Sequence, residues 1–459
     1  MVEMESTPDL MLDKPKTFIN SHKKNVNKDL KIGIWAYFLL LIFEGALRKW
    51  LLPGLATPLL IIRDPIAIWL VIKCWQRGLF PSSIYLSGMV IIGILGIFTA
   101  IFFGHGNLIV ALFGARILLF HFPLIFVMGK VFDRDDVIKI GKAILWITIP
   151  MTVLIALQFY SPQSAWVNRG VGGDMAGAGY SGANGFFRPP ATFSFTTGTT
   201  SYYSLAACFI FYFWFDLKKV NKLILIAATL GLFAAIPLSI SRSVFFQVAI
   251  TLIFVMLAVS RKPKYFGKML VAVIGGITIL AILSQISMFN TATEAFTARF
   301  DGAGKVEGGL KGTLGTRAVG GSISSLTGSA DQPILGYGIG MGTNVGSMLL
   351  AGSKTFLISE GEWGRETGEL GPILGLLVIF IRIGLTVKIA WASYKKLAIS
   401  DFLPWIILSY GCTALAEGNW AQPTYLGFSI ISGGLMLASL NSSDIKNKIR
   451  NTSKVKATT

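Results

Sequence analysis

Arg188 stands before Pro189-Pro190, Arg242 lies in Leu238-Ser-Ile-Ser-Arg-Ser243, and Arg317 opens a weakly amphipathic stretch that runs to Leu326. A guanidinium is a planar fork of donors that stays charged in an apolar site and pairs bidentately with phosphate. The two prolines hold the backbone after Arg188 extended and so aim its side chain. Arg169 lies with Arg188 in one long outer segment, and Arg299, Lys305, Lys311, Lys354 and Arg365 lie with Arg317 in another, while Arg242 sits at the lip of an apolar span. Arg116 is more deeply placed, about a third of the way into an apolar span, in Phe113-Gly-Ala-Arg-Ile-Leu-Leu-Phe-His121. Cations held in or beside lipid need an anionic partner. A lipid-linked phosphate or pyrophosphate would be one. The competing readings are snorkelling to headgroups for the loop arginines, and a salt bridge from Arg116 to Glu44 or Asp64.

Carboxylates supply the second kind of chemistry. A glycosyl-transfer or hydrolytic step needs a group that accepts the proton of the attacking hydroxyl. Glu360, Glu362 and Glu366 in Ser359-Glu-Gly-Glu-Trp-Gly-Arg-Glu-Thr-Gly-Glu-Leu-Gly371 are the candidates, with Glu369, Asp174 and Glu417 behind them. Glu362 and Glu366 are four residues apart and would share one helix face near Arg365 and Trp363. Trp363 could stack on a sugar ring or anchor at the interface. The bland alternative is a solvated acidic cluster before a helix, a place acidic residues favour.

The elements that must hold these groups are membrane helices. The 459 residues are 53% hydrophobic and only 14% charged, with mean hydropathy +0.64. Apolar runs of roughly twenty residues recur, which excludes a set of soluble domains and indicates an all-α polytopic bundle. Window reading gives about twelve spans, near 30–52, 58–76, 84–103, 108–128, 138–160, 194–216, 220–239, 243–260, 267–288, 369–391, 401–417 and 421–440. Lys and Arg gather in alternate short loops and in both tails, so residues 1–29 and 441–459 are expected in the cytoplasm. Two outer segments remain, about 161–193 and, between the ninth and tenth spans, about 290–368; both are Gly-rich and are expected to be ordered loops at the bilayer surface.

Other classes drop out. The net charge of +18 lies largely in tails and juxtamembrane loops, where topology and anionic lipid explain it, and no basic stripe interleaved with aromatics suggests nucleic acid. Cys74, Cys208 and Cys412 are scattered, without metal or disulfide spacing. Gly336-Tyr-Gly-Ile-Gly-Met-Gly342 follows no βαβ strand, so no nucleotide fingerprint is present. The N-terminal tail lacks the features of a signal peptide.

Several of these residues, in order, resemble the O-antigen ligase and O-antigen polymerase superfamily of bacterial envelope polysaccharide assembly. The carriers are Glu44-Gly-Ala-Leu-Arg-Lys-Trp50, Arg188-Pro-Pro-Ala-Thr-Phe193, Ser239-Ile-Ser-Arg-Ser243, Gly315-Thr-Arg317, Gln332-Pro-Ile-Leu-Gly-Tyr-Gly-Ile-Gly340 and Glu366-Thr-Gly-Glu-Leu-Gly-Pro-Ile373. The resemblance implies a metal-independent, glycosyltransferase C-like enzyme with no cofactor. It would use an undecaprenyl-pyrophosphate-linked glycan at the periplasmic face of the inner membrane. Arg188, Arg242, Arg317, Arg116 and Arg365 would bind the pyrophosphate, and one of Glu360, Glu362 and Glu366 would activate the acceptor hydroxyl. A chain-length regulator and a flippase would be its protein partners. Ligases of the family carry a histidine in the large outer loop, whereas His22, His105 and His121 all lie elsewhere here. A polymerase of repeat units is therefore the expectation. The alternatives are a ligase acting on a lipid or protein acceptor and, from another class, a transporter or flippase for an anionic lipid.

Overall fold

In lipid, backbone N–H and C=O groups must be satisfied within the chain, and apolar runs do this as helices. The computed structural model describes residues 27–261, 266–267, 274–276, 278, 281–282, 285–307, 332–353, 357–359 and 361–441. Arg317 and Glu360 thus lie outside the described residues. The first half contains α1 (Lys28–Ala46, continued by a π turn, Leu47–Leu51), α2 (Asp64–Gln76), α3 (Ile84–Phe102), α4 (Leu108–Arg116), α5 (Phe122–Val131) and α6 (Arg134–Tyr160). A second π turn, Ile117–His121, joins α4 to α5. A short antiparallel hairpin follows, β1 (Tyr180–Ser181) with β2 (Phe187–Arg188). Then come α7 (Thr196–Phe215), α8 (Lys222–Leu238), α9 (Arg242–Ser260), α10 (Ser287–Glu307), α11 (Asn344–Ala351), α12 (Glu362–Ala398), α13 (Leu403–Ala416) and α14 (Pro423–Leu440).

Helices α7 and α14 form the interior. From Ser201 to Phe213 every residue of α7 is buried, and α14 packs on α5, α6, α7, α12 and α13. Its small residues permit close approach: a Cβ on Gly433 would meet Leu415 at 2.9 Å, and one on Gly434 would meet the Met128 sulfur at 2.5 Å.

Seven helices among the described residues are long and apolar enough to cross a membrane. That is fewer than the expected twelve, for identifiable reasons. The expected span 58–76 begins with 3-10 turns around Pro58, leaving 13 helical residues in α2. Helices α8 and α13 have only 17 and 14 residues. Helix α7 opens on Thr196-Thr-Gly-Thr-Thr-Ser201, which lowers its hydropathy. Much of 267–288 lies outside the described residues.

The segment expected to be a loop to residue 368 differs too. It contains α10 and α11, and α12 begins at Glu362 rather than near 369. Glu362, Arg365, Glu366 and Glu369 pair within one helix face or with Arg382, so this charged stretch can be helical and buried. Helix α12 then breaks at Gly371, whose φ is 76°. Pro372 has no N–H to give the carbonyl four residues back, that of Gly368. The glycine string fills the gap: Tyr337 N–H donates to Gly368 O at 2.8 Å and Gly338 N–H to Glu369 O at 3.0 Å.

This explains the glycines without a nucleotide. A Cβ on Gly371 would stand 2.0 Å from Ile334 O, and the residue needs a left-handed conformation. Gly371→Ala is expected to destabilise the protein by about 3 kcal/mol or more, given the strain and the backbone clash. Thermal unfolding in detergent checks this; a midpoint equal to that of the unsubstituted chain would refute the broken-helix account.

Candidate functional site

The hairpin that carries Arg188 is built by its turn. Asn184 and Gly185 have φ of 53° and 79°, and Phe186 N–H donates to Ala183 O at 2.9 Å. Asn-Gly with positive φ at both positions is the two-residue turn that suits strand twist. Tyr180 faces Arg188 in the register, with the guanidinium 6.0 Å from its ring centroid. Beyond the hairpin, the Pro189–Ser194 backbone is clamped. Gln158 donates to Ala191 O at 3.2 Å and accepts from Ala191 N–H at 2.8 Å. Lys49 donates to Ala191 O at 2.5 Å, and the Thr192 hydroxyl to Ile42 O at 2.7 Å. A Cβ on Gly45 would stand 2.4 Å from Thr192 O. The Glu44–Trp50 and Arg188–Phe193 segments, distant in sequence, therefore pack as one unit. It fixes the origin of the Arg188 side chain.

Two further arginines converge on this hairpin. Ile240, in the turn before Arg242, comes within 2.9 Å of where a Cβ on Gly182 would be. Ser241, the residue before Arg242, meets the Thr200 hydroxyl at 3.1 Å. Arg299 on α10 donates to Gly182 O at 3.3 Å. Helix α10 is held there by Phe296 and Phe300, whose rings pack on Phe245 at centroid distances of 6.2 and 5.7 Å. Burial first, then the Arg299 and Arg242 guanidiniums, push Arg188 down to about 10, with Tyr180 acting the other way. Arg188 Nε is buried and has no hydrogen-bond partner among the described residues. Its charge remains at neutral pH. An anion placed among the three would relieve the repulsion and offer that Nε an acceptor.

The structure thus brings Arg188 and Arg242 together and adds Arg299. The signal for Arg299 was present: Phe296 and Phe300 lie four apart, on one helix face with Arg299 beside them. Arg169, in the same segment as the hairpin, also keeps its Nε buried and, among the described residues, without a partner.

The carboxylates form a separate, buried network. Arg365 holds Glu362 through two bonds of 2.9 Å and Glu369 through one of 2.6 Å. Arg382 donates to Glu362 at 2.8 Å and to Glu366, and caps Leu415 O and Gly418 O at 2.8 and 2.6 Å. Its guanidinium lies 3.8 Å from the Trp420 ring centroid. Trp420 N–H donates to Glu362 Oε1 at 3.0 Å, and Gly342 N–H to Glu369 Oε1 at 2.8 Å. Trp363, the suggested sugar platform, donates to Ala416 O at 3.0 Å.

This geometry bears on two expectations. Arg365 is committed to carboxylates and 5% exposed, so its fork is not open to a pyrophosphate. Glu362 is 5% exposed and Glu366 2% exposed, so neither belongs to a solvated acidic cluster; their charges are answered by arginines. Glu366 Oε2 has no hydrogen-bond partner among the described residues.

Arg116 is likewise engaged by the protein's own carboxylate. Its Nη1 reaches both oxygens of Asp64 at 2.7 and 2.8 Å. The His121 ring meets Asp64 Oδ1 at 2.9 Å and Tyr37 OH at 2.9 Å. The π turn between α4 and α5 is what brings Arg116 and His121, five apart, onto one carboxylate. This is the salt bridge to Asp64 that the sequence left open as the alternative.

Among the described residues no group of three or more His, Cys, Asp and Glu side chains could hold a metal ion. In comparison with known proteins, no family model, no curated protein and no solved structure matches the chain.

Proposed function

We propose that this protein is a membrane-embedded glycosyltransferase that polymerises undecaprenyl-pyrophosphate-linked oligosaccharide units at the periplasmic face of a bacterial inner membrane. The observation that carries the reading is the convergence of Arg188, Arg242 and Arg299 on one hairpin, with Arg188 Nε buried and without a hydrogen-bond partner among the described residues. In this reading the three cations hold the donor pyrophosphate and stabilise it as a leaving group, an electrostatic role. The base that activates the acceptor hydroxyl is a carboxylate outside the α12 network, with Glu360 the first candidate. The test is extension of purified lipid-linked repeat units by the full chain. Products longer than one unit support the reading, and their absence with donor bound overturns it.

The orientation belongs to the same proposal, with both termini cytoplasmic and the hairpin outside. Asn184→Cys should react with a membrane-impermeant maleimide in intact cells, since Asn184 is exposed. Protection until lysis would reverse the topology.

A transporter or flippase for an anionic lipid is the second reading, favoured by one observation: α12 is broken at Gly371 beside buried charge, as in transporters with discontinuous helices. The carbonyls freed there are taken by Tyr337 and Gly338, and the charges by one another. That occupancy supports the enzyme over the transporter.

A further inference from the structure

A groove of about 320 Å³ opens where α3 begins, α5 ends and α14 ends, against residues 385–392 of α12. Its floor is apolar, with Phe126, Leu385 and Leu437. Its rim carries Lys130 and Lys388, both exposed, and no carboxylate lines it among the described residues. The Lys388 ammonium lies 5.5 Å from the Tyr85 ring centroid, which draws it toward the groove. Ser83, the residue that caps α3, makes no side-chain capping bond, and the first-turn N–H groups of a helix have no acceptor within it.

We infer that this groove binds the headgroup and upper acyl chain of an anionic glycerophospholipid, with Lys130 and Lys388 on the phosphate. Three observations select this occupant. The ends of three spanning helices meet here, so the groove sits at headgroup depth rather than in the hydrocarbon core. Two lysines without a facing carboxylate complement a phosphodiester, and basic pockets between membrane helices bind such headgroups. The apolar floor accommodates an acyl chain, for which a soluble phosphate has no use. The groove is lined by none of the arginines of the hairpin site, so it does not depend on the catalytic reading.

The experiment reconstitutes the full chain in mixed phosphatidylcholine and phosphatidylglycerol vesicles. Native mass spectrometry then counts the lipids retained after extraction. The unsubstituted chain should retain phosphatidylglycerol over phosphatidylcholine. Lys130→Gln/Lys388→Gln should lose that preference by about thirtyfold, as two lysines near anionic lipid would supply. Lys130→Arg/Lys388→Arg should keep it, which separates lost charge from lost fold. Lys142→Gln/Lys218→Gln, which removes equal charge from a different basic pocket, should also keep it. Three results would each overturn the inference: no preference in the unsubstituted chain, an unchanged preference in the Lys130/Lys388 glutamine variant, or an equal loss in the Lys142/Lys218 control. Displacement by excess inorganic phosphate would likewise overturn it, by assigning the rim to a soluble anion.

Discussion

Arg382→Ala is expected to cost about 3–5 kcal/mol, the usual effect of removing one partner from a buried ion network. Arg382 is 1% exposed and serves two carboxylates, two backbone carbonyls and the face of Trp420. Truncation would leave Glu362 dependent on Arg365, Glu366 with only a 4.0 Å contact to Arg365, and both carbonyls unsatisfied. A loss of that size is a large part of the roughly 5–15 kcal/mol that holds a typical domain folded. Glu366→Gln should behave differently. Only one of its oxygens is engaged, three carboxylates already face two guanidiniums, and the amide keeps an acceptor for Arg382. A change within about 1 kcal/mol is expected. Unfolding midpoints in detergent, with expression as a second readout, decide the matter. Equal midpoints for Arg382→Ala and the unsubstituted chain would show that the network is not what holds α12 to α13. A large loss from Glu366→Gln would show that its second oxygen has a partner.

Hydropathy made most of the spans legible, because a window average reports the apolar face that lipid demands. It failed where charge is buried by pairing. The stretch from Glu362 to Gly368 reads as a loop on average hydropathy. Yet Glu362, Arg365, Glu366 and Glu369 recur at helical spacing, and Arg382 lies on the same helix beyond the break. The break itself was written as Gly371-Pro372, but its complement, the glycine string from Gly336, is thirty-odd residues earlier and could be matched to it only in three dimensions. Asn184-Gly185 announced a hairpin that a reading for membrane spans passed over. At the candidate site, Arg188 and Arg242 were legible as cations next to constrained turns. Arg299 stood only among the general loop cations, because α10 reads as part of a loop until Phe296 and Phe300, four apart, are taken as one helix face. Arg116 and Arg365 show the limit of the same logic: an arginine in lipid signals a nearby anion, and in both cases that anion is the protein's own carboxylate.

Arg188→Gln should separate function from stability at the site. In the folded protein Arg188 is pushed down to about 10 by burial and by Arg299 and Arg242. The sign follows directly. A base whose folded value lies below its ordinary one is disfavoured as a cation on folding, and at neutral pH Arg188 is a cation. Its charge therefore opposes folding across the whole neutral range. Removing it should leave the unfolding midpoint unchanged or raised, the pattern expected where a site keeps strain for function. Product formation from lipid-linked repeat units should nonetheless fall by about a hundredfold or more, the typical loss when one preorganised electrostatic donor is taken from a developing charge. Arg188→Lys should also fall well below the unsubstituted chain, since an ammonium keeps charge but lacks the planar fork. Binding of a lipid pyrophosphate, scored separately, should weaken in both variants. If Arg188→Gln unfolds early and loses activity in proportion, the side chain is structural. If it extends repeat units at the native rate, the three-arginine site is not where the donor is held, and the buried Nε is satisfied by something other than substrate.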